Sequence, residues 1–308
     1  MSGLGQCLED YLAVRRAVGF KLVRESYLLA DFIGFMEREG ATIVTTQLAI
    51  AWATQTKESM NWRADRLDAV RGFARYLQVF DPNTEVPPAG LLPRCSSRAM
   101  PYIYDDAEVA ALLAAAQTIR SRLGRCTYAT LIGLLAVTGM RVGEAIRLDR
   151  DDVDWEHAVL TVRTTKFGKS REVALHATAV AALAAYSRRR DELIPCRTSP
   201  SFFASQAGTR LQHSNVNHTY RYLVRAAGLQ PASPRCRPRL HDFRHTFAVR
   251  TVLDWYRDGG DVAARLPLLS TYLGHVDPIS TYWYLSGTPE LLALASQRMQ
   301  NRFGGGRS

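Results

Sequence analysis

Two side chains with chemistry to offer stand three positions apart in Arg239-Leu240-His241-Asp242-Phe243-Arg244-His245-Thr246-Phe247. The spacing predicts a helix start with His241 and Arg244 on one face. Leu240, Phe243 and Phe247 follow helical periodicity and are expected to face a core. An imidazole and a guanidinium side by side on a buried support suit a phosphate. The guanidinium offers a planar fork of donors to two oxygens, and the imidazole exchanges a proton near neutral pH. A plain polar helix start and an anion site without chemistry use the same residues. A metal reading, from His241 and His245 in His-Asp-x-x-His, is opposed by Arg244, a fixed cation that would repel a dication.

Further candidates lie along the chain. In Thr138-Gly139-Met140-Arg141-Val142-Gly143-Glu144, Gly139 breaks a helix and Arg141 opens a short new one. The free amides of a first helical turn welcome an anion there, and Glu144 is placed to orient Arg141. Lys166 falls in a turn, Thr165-Lys166-Phe167-Gly168-Lys169, between two β-branched strands at 159–163 and 171–175. A turn at that point can push an ammonium into a groove. His275 sits in the turn Leu273-Gly274-His275, Pro278 opens another helix, and Tyr282 and Tyr284 follow. Taken singly, Arg141 reads equally well as a surface arginine paired with Glu144, and Lys166, His275 and Tyr284 read more readily as a solvated turn lysine, a polar turn histidine and a core tyrosine.

Positioning such groups takes a sizeable scaffold. The chain has 308 residues, enough for two domains, and is 47% hydrophobic, which excludes a disordered chain. Its 39 Lys and Arg against 29 Asp and Glu give a net charge of +10, which points to a polyanionic partner, nucleic acid first. The five cysteines are scattered with no Cys-x-x-Cys pair, so neither a disulfide framework nor a zinc ribbon is expected. No apolar run spans a bilayer and charges interrupt the first twenty residues, so a cytoplasmic protein without a membrane partner is expected.

Helical patterns cover 6–19, 25–39, about 46–55 and 60–79, a small all-α unit. Lys57, Arg63, Arg66, Arg71 and Arg75 crowd the last of these and its approach. They suit a face that tracks DNA phosphates; an ordinary solvated face is the bland alternative. Pro82, Pro87, Pro88, Pro93 and Pro101 mark an extended stretch at 81–101. Beyond it, helices are expected from Asp105 or Asp106 to Gln117, at 124–138, at 177–192 and at 214–227. Ser214 is the expected cap of the last, and Gly228 its stop.

Together, Arg141 in its Thr-Gly-Met-Arg-Val-Gly-Glu setting, Lys166 on a β-turn, His241-x-x-Arg244, Leu-Gly-His275 and Tyr284 resemble the active-site series of the tyrosine recombinases, the phage-integrase family. The lysine turn is similar to that family's Gly-Lys-Gly-x-Lys-x-Arg hairpin, with Thr165 and Phe167 in place of two glycines. The resemblance covers about 100–303. It implies a mostly α fold with a small antiparallel β-sheet. An α-helical core-binding, DNA-clamping domain would span 1–94, a linker 95–101, and the catalytic domain with its C-terminal helix 102–308. The implied activity is site-specific cleavage and rejoining of double-stranded DNA through a 3′-phosphotyrosine, within a homotetramer on DNA, in a bacterial nucleoid-associated setting. The nine-residue offset from His275 favours Tyr284 over Tyr282 as nucleophile. By the same resemblance Arg141 and Arg244 neutralise the phosphate and His241 assists proton removal or holds it. Lys166 protonates the leaving 5′-oxygen, and His275 hydrogen-bonds the phosphate.

The chemistry agrees with the residues. A phenol ionises at about 10 and needs help to attack at neutral pH. A covalent link conserves the bond energy, so no cofactor, ATP or metal is expected, and the chain has no P-loop motif. Type IB topoisomerase-like relaxation, and a catalytically silent DNA-binding protein, are the alternative functions. A last helix at 288–302 would dock on a neighbouring subunit or on its own domain.

Overall fold

The computed structural model describes residues 3–94, 100–163, 170–195 and 199–274. The chain divides into two compact units, Met1–Arg98 and Ala99–Ser308. The hairpin turn with Lys166, and the segment with His275, Pro278, Tyr282, Tyr284 and the expected last helix, lie outside the described residues.

The first unit has four helices among its described residues: α1 (Gly3–Ala17), α2 (Val23–Arg38), α3 (Thr46–Thr54) and α4 (Met60–Leu77). Each start has a local cause where a hydroxyl is available. The Thr45 side chain accepts from the Leu48 amide and the Ser59 side chain from the Trp62 amide, so two orphan donors are satisfied at α3 and α4. Leu8 and Leu12 of α1, Phe32 and Met36 of α2, Trp52 of α3, and Val70 and Phe73 of α4 recur at helical spacing and close a core. Residues 81–94 contain no helix, as their prolines require, but they are packed down. Val86 and Leu92 lie against that core, and the Glu85 carboxylate accepts from the Thr46 amide at 2.7 Å.

The second unit begins with α5 (Asp106–Ala116), whose start is a full capping box. Asp105 accepts from the Glu108 amide at 2.7 Å, and Glu108 accepts from the Asp105 amide at 3.0 Å. Next comes α6 (Arg122–Thr138), capped by Ser121, then the short α7 (Val142–Arg147). A three-stranded antiparallel sheet follows in the order β1 (Val153–Asp154), β2 (Val159–Val162), β3 (Arg171–Ala174). β2 and β3 are the expected pair, each one residue shorter than its pattern; β1, only two residues long, carries no pattern of its own. Leu160, Val162 and Val173 turn one face of the sheet into the core.

Four helices complete the described part: α8 (Ala177–Leu193), α9 (His213–Ala226), α10 (Asp242–Arg257) and α11 (Val262–Leu273). The α9 start corrects an expectation. His213 is its first helical residue and Gln212 its cap, so Ser214 lies inside the helix and caps nothing. In α11, Pro267 sits within the helix, which ends at Gly274. α5 to α9 and the sheet share one core; α10 and α11 pack on each other through Ala248, Val252, Leu266, Leu269 and Leu273.

Candidate active site

Three local devices bring the distant arginines together. The first is the end of α6. Gly139 takes a left-handed backbone, φ +60°, which reverses the chain into Arg141. A Cβ built there would meet the Phe247 ring at 2.6 Å, so glycine is needed for space as well as for backbone conformation. The second is the end of α11, where Gly274 is again left-handed, φ +67°. The third is the start of α10, which carries His241 at its cap and Arg244 in its first turn.

Both guanidiniums rest on helix C-termini, where orphan carbonyls and the negative end of the dipole favour a cation. Arg244 is fully buried at 1% exposure; its Nη1 donates to the Gly139 carbonyl at 3.1 Å and its Nη2 to the Leu273 carbonyl at 2.5 Å. Arg141 donates from Nη2 to the next carbonyl, that of Gly274, at 3.1 Å. Consecutive carbonyls at the end of α11 therefore hold two arginines that lie about a hundred positions apart in sequence. Arg141 keeps 31% of its side chain open to solvent.

Glu144 is the acid of this cluster. Its buried carboxylate accepts from the Arg141 amide at 2.9 Å and from Arg141 Nη1 at 2.8 Å. A second arginine, Arg171 at the start of β3, forks onto the same carboxylate at 3.1 and 2.7 Å. Burial alone raises this carboxyl; the bonds and charges of Arg171, and then of Arg141, outweigh it and hold it down at about 2.

His241 stands at the mouth of the cluster with an exposed outer surface. Desolvation of its inner rim, then the charges of Arg244, Arg141 and Arg239, push the ring down to about 4. In the free protein at neutral pH it is a neutral imidazole. Its edge meets the His245 ring at 4.9 Å and 87°. Asp242 faces away from this group. It is completely buried and accepts from the Arg239 amide at 2.9 Å, from Nε at 3.0 Å and from Nη2 at 2.8 Å. Tyr104 stacks on Phe243 at 4.5 Å, and its amide donates to Thr246 Oγ1 at 3.0 Å, which pins the first turns of α10.

The structure thus gathers Arg141 from one stretch with His241 and Arg244 from another. Lys166, His275 and Tyr284 lie outside the described residues, although His275 directly follows Gly274 in sequence. Arg171 is the member of the cluster that the spacing of reactive residues did not single out. Its sequence signal is the closing arginine of the hairpin pattern that begins at Lys166, with no pointer to Glu144.

The five basic residues of the first unit do not form one free face. Arg66 is buried; its guanidinium lies 3.8 Å from the Trp52 ring centroid, and Nη2 donates to the Trp52 carbonyl at 3.0 Å. Arg63 is half-buried, with Nε donating to the Thr56 carbonyl at 3.0 Å, and Arg71 is paired with Asp68. Lys57 and Arg75 are exposed.

Comparison with known proteins gives this cluster its setting. Residues 103–290 match the model of the phage integrase family. The chain is 44% identical over 311 residues to a Sinorhizobium fredii protein named as an integrase/recombinase, y4rB, covering 98% of this chain and 99% of that one. It is 30% identical over 242 residues to the tyrosine recombinase XerD of Pseudomonas putida, covering 76% of this chain and 74% of the relative. Among solved structures, the fold is similar to the Tn1549 transposon integrase in complex with transposon right end DNA, with a TM-score of 0.63 at 16% identity, covering 97% of this chain and 99% of that one. It is also similar to the XerH recombinase bound to a palindromic difH substrate, with a TM-score of 0.60 at 19% identity, covering 90% of this chain and 77% of that one. The chain belongs to the phage integrase family, the tyrosine recombinases. The activity of that family is site-specific recombination, in which DNA strands are broken and rejoined.

Proposed function

We propose that Arg141 and Arg244 grip the scissile phosphate of duplex DNA, with His241 beside them, while Tyr284 attacks. The phenolic oxygen bonds to phosphorus and the 5′-oxygen leaves with the bonding pair. Lys166 gives that oxygen a proton, and His241 or solvent takes the phenol's proton. The product is a 3′-phosphotyrosine and a free 5′-hydroxyl, and attack by another strand's 5′-hydroxyl reverses the step. Charge that builds on the nonbridging oxygens is met by two fixed guanidiniums. His275 adds a hydrogen bond to the same phosphate. No metal or nucleotide enters this balance.

The observation that carries the reading is the seating of Arg141 and Arg244 on consecutive carbonyls, Gly274 and Leu273, with the His241 ring at the opening. The two groups act on one phosphate only if they are neighbours, and a shared helix end makes them so.

In this reading, the partner is double-stranded DNA at a specific site, and the working assembly is a homotetramer that holds two such duplexes. Domain 1–94 is the DNA-clamping core-binding domain, 95–101 the linker, and 102–308 the catalytic domain. The biological role is movement or integration of a mobile element in a bacterial cytoplasm, in keeping with the names of the relatives. Support for the tetramer comes from the similarity to a λ integrase tetramer solved on a Holliday junction, with a TM-score of 0.59 at 17% identity, covering 91% of this chain and 76% of that one.

Nuclease footprinting of the purified protein on the ends of its own element defines the site. A nicked duplex carrying that site then traps the covalent intermediate. Tyr284→Phe is expected to protect the same DNA and to form no adduct on denaturing gels. An adduct that persists in this variant removes Tyr284 from the reaction and turns attention to Tyr282.

A further inference from the structure

Glu144 poses an electrostatic problem. A carboxylate bonded to a phosphate-binding arginine through two of its contacts would cancel most of the charge that the phosphate is meant to feel. Coulomb energy at these distances is large inside a protein, and a one-to-one pair behaves as a weak dipole towards a third charge. Yet without Glu144 the Arg141 side chain would lose one of its two anchors and keep only the Gly274 carbonyl. Arg171 resolves the conflict. Its fork onto both carboxylate oxygens adds a second positive charge to the same acid.

We infer that Arg171 is a positioning residue for strand cleavage: by sharing Glu144, it keeps Arg141 oriented while leaving that guanidinium a net charge to present to the phosphate. The inference rests on the reading of Arg141 as a phosphate ligand. The local geometry agrees with it at each link. Three ionised groups, Arg171, Glu144 and Arg141, form a chain carrying one net positive charge, and the end open to solvent is Arg141. Arg171 is 12% exposed at its side chain and Glu144 only 2%, whereas Arg141 is 31% exposed. Arg171 is also fixed from outside this chain. It pairs with Val162 across the sheet, and its guanidinium passes so close to Gly274 that a Cβ there would meet Nη1 at 3.0 Å. One side chain therefore ties β3 to the α7 acid and to the α11 end on which Arg141 rests.

A purely architectural ion pair would predict something different. Removing either partner of a buried pair strands the other charge and costs stability, and removing both costs no less function than removing one. If Arg171 serves to offset Glu144, loss of Arg171 leaves the carboxylate to neutralise Arg141 alone. Taking away the carboxylate charge as well should then restore part of the reaction.

The test is single-turnover cleavage of the nicked duplex carrying the footprinted site, with DNA binding and thermal unfolding followed in parallel. Arg171→Ala is expected to slow covalent adduct formation about 10–100-fold, the range typical of residues that orient a reacting group, with binding affinity nearly unchanged. Glu144→Gln combined with Arg171→Ala is expected to cleave at least about threefold faster than Arg171→Ala alone, because the glutamine still accepts from Arg141 without cancelling its charge. Arg171→Lys, which keeps the charge, should retain most of the rate. If Arg171→Ala does not fold, Arg171→Gln takes its place, compared with Arg171→Gln combined with Glu144→Gln. A wild-type rate for the folded Arg171→Ala or Arg171→Gln variant, or a double variant no faster than the single, overturns the inference. Arg141→Ala separates the two readings: if it cleaves normally, the assignment of Arg141 to the phosphate falls, whereas an inactive Arg141→Ala beside a fully active Arg171→Ala removes only the role given to Arg171.

Discussion

Arg66 in the first unit and Arg244 in the second are both buried arginines on helices, yet they are seated differently. Arg66 lies over the Trp52 ring and reaches the Asp31 carboxylate at 3.4 Å, so ring and acid take up its charge. Burial lowers its pKa, and Asp31 pulls in the other direction. Arg244 is seated on the carbonyls of Gly139 and Leu273, which carry partial charge only. Carbonyl dipoles fix a guanidinium without cancelling it, whereas a carboxylate fixes and cancels at once. The residue type is the same, and the seat differs: an aromatic ring and a carboxylate hold Arg66, whereas two helix-end carbonyls are among the partners of Arg244.

The largest expected effect comes from removing the charge that carbonyls hold. Arg244→Ala should reduce covalent adduct formation on the nicked duplex about 10²–10³-fold, the usual loss when one donor to a developing oxyanion is deleted. Binding of uncleaved DNA should change far less, because many phosphates share that term. A variant that still forms adduct within about threefold of wild type would place Arg244 with Arg66, as a packing residue.

His241 tests the same cluster through pH. Its pKa is depressed from the ordinary value to about 4, so the folded state resists protonation while the unfolded chain takes a proton near 6.5. The resulting stability is fully present above about 6.5 and is lost as pH falls towards 4. Unfolding free energy of the wild type should decline across that window, and His241→Gln should flatten the decline. Equal slopes in the two proteins would show that neither burial nor the arginines depress this ring. Site DNA supplies the opposite charge, so its binding should move the His241 titration upwards, as read from the ring proton shift by NMR.

These partnerships explain what the sequence could and could not reveal. Helices were legible wherever a periodic apolar face met a cap, as at Thr45, Ser59 and Asp105. The cap of α9 was misplaced because serine propensity favoured Ser214, whereas the chain turns into the helix one step earlier, at Gln212. Strand β1 was invisible because two residues hold no periodicity, and its pairing with β2 alone makes it a strand. At the site, Arg141, His241 and Arg244 were legible from motif spacing, and Glu144 as the orienting acid from its place three residues beyond Arg141. The Arg171 fork was not, since sequence distance says nothing about which acid a strand residue meets. The same blindness affects α4, where four basic residues look alike in sequence and Arg66 is turned inward.

That inward turn sets up the smallest effects, and they should separate cleanly. Arg66→Ala loses a stacked cation, a hydrogen bond to the Trp52 carbonyl and part of an ion pair whose acid is 56% exposed. The partly open acid limits the electrostatic share, so about 1–3 kcal/mol of stability is expected, mostly from packing and the stranded carbonyl. Its DNA affinity, measured on protein that remains folded, should keep the wild-type dependence on salt. Arg75→Ala should do the reverse. Arg75 is exposed near the end of α4, so its loss should leave the unfolding midpoint within experimental scatter. If it meets a phosphate, the slope of log affinity against log salt should fall by about 0.9, the counterion released by one contact. An unchanged slope for Arg75→Ala would remove α4 from the DNA-binding surface, and a reduced slope for Arg66→Ala would mean that the Trp52 stack opens when DNA binds.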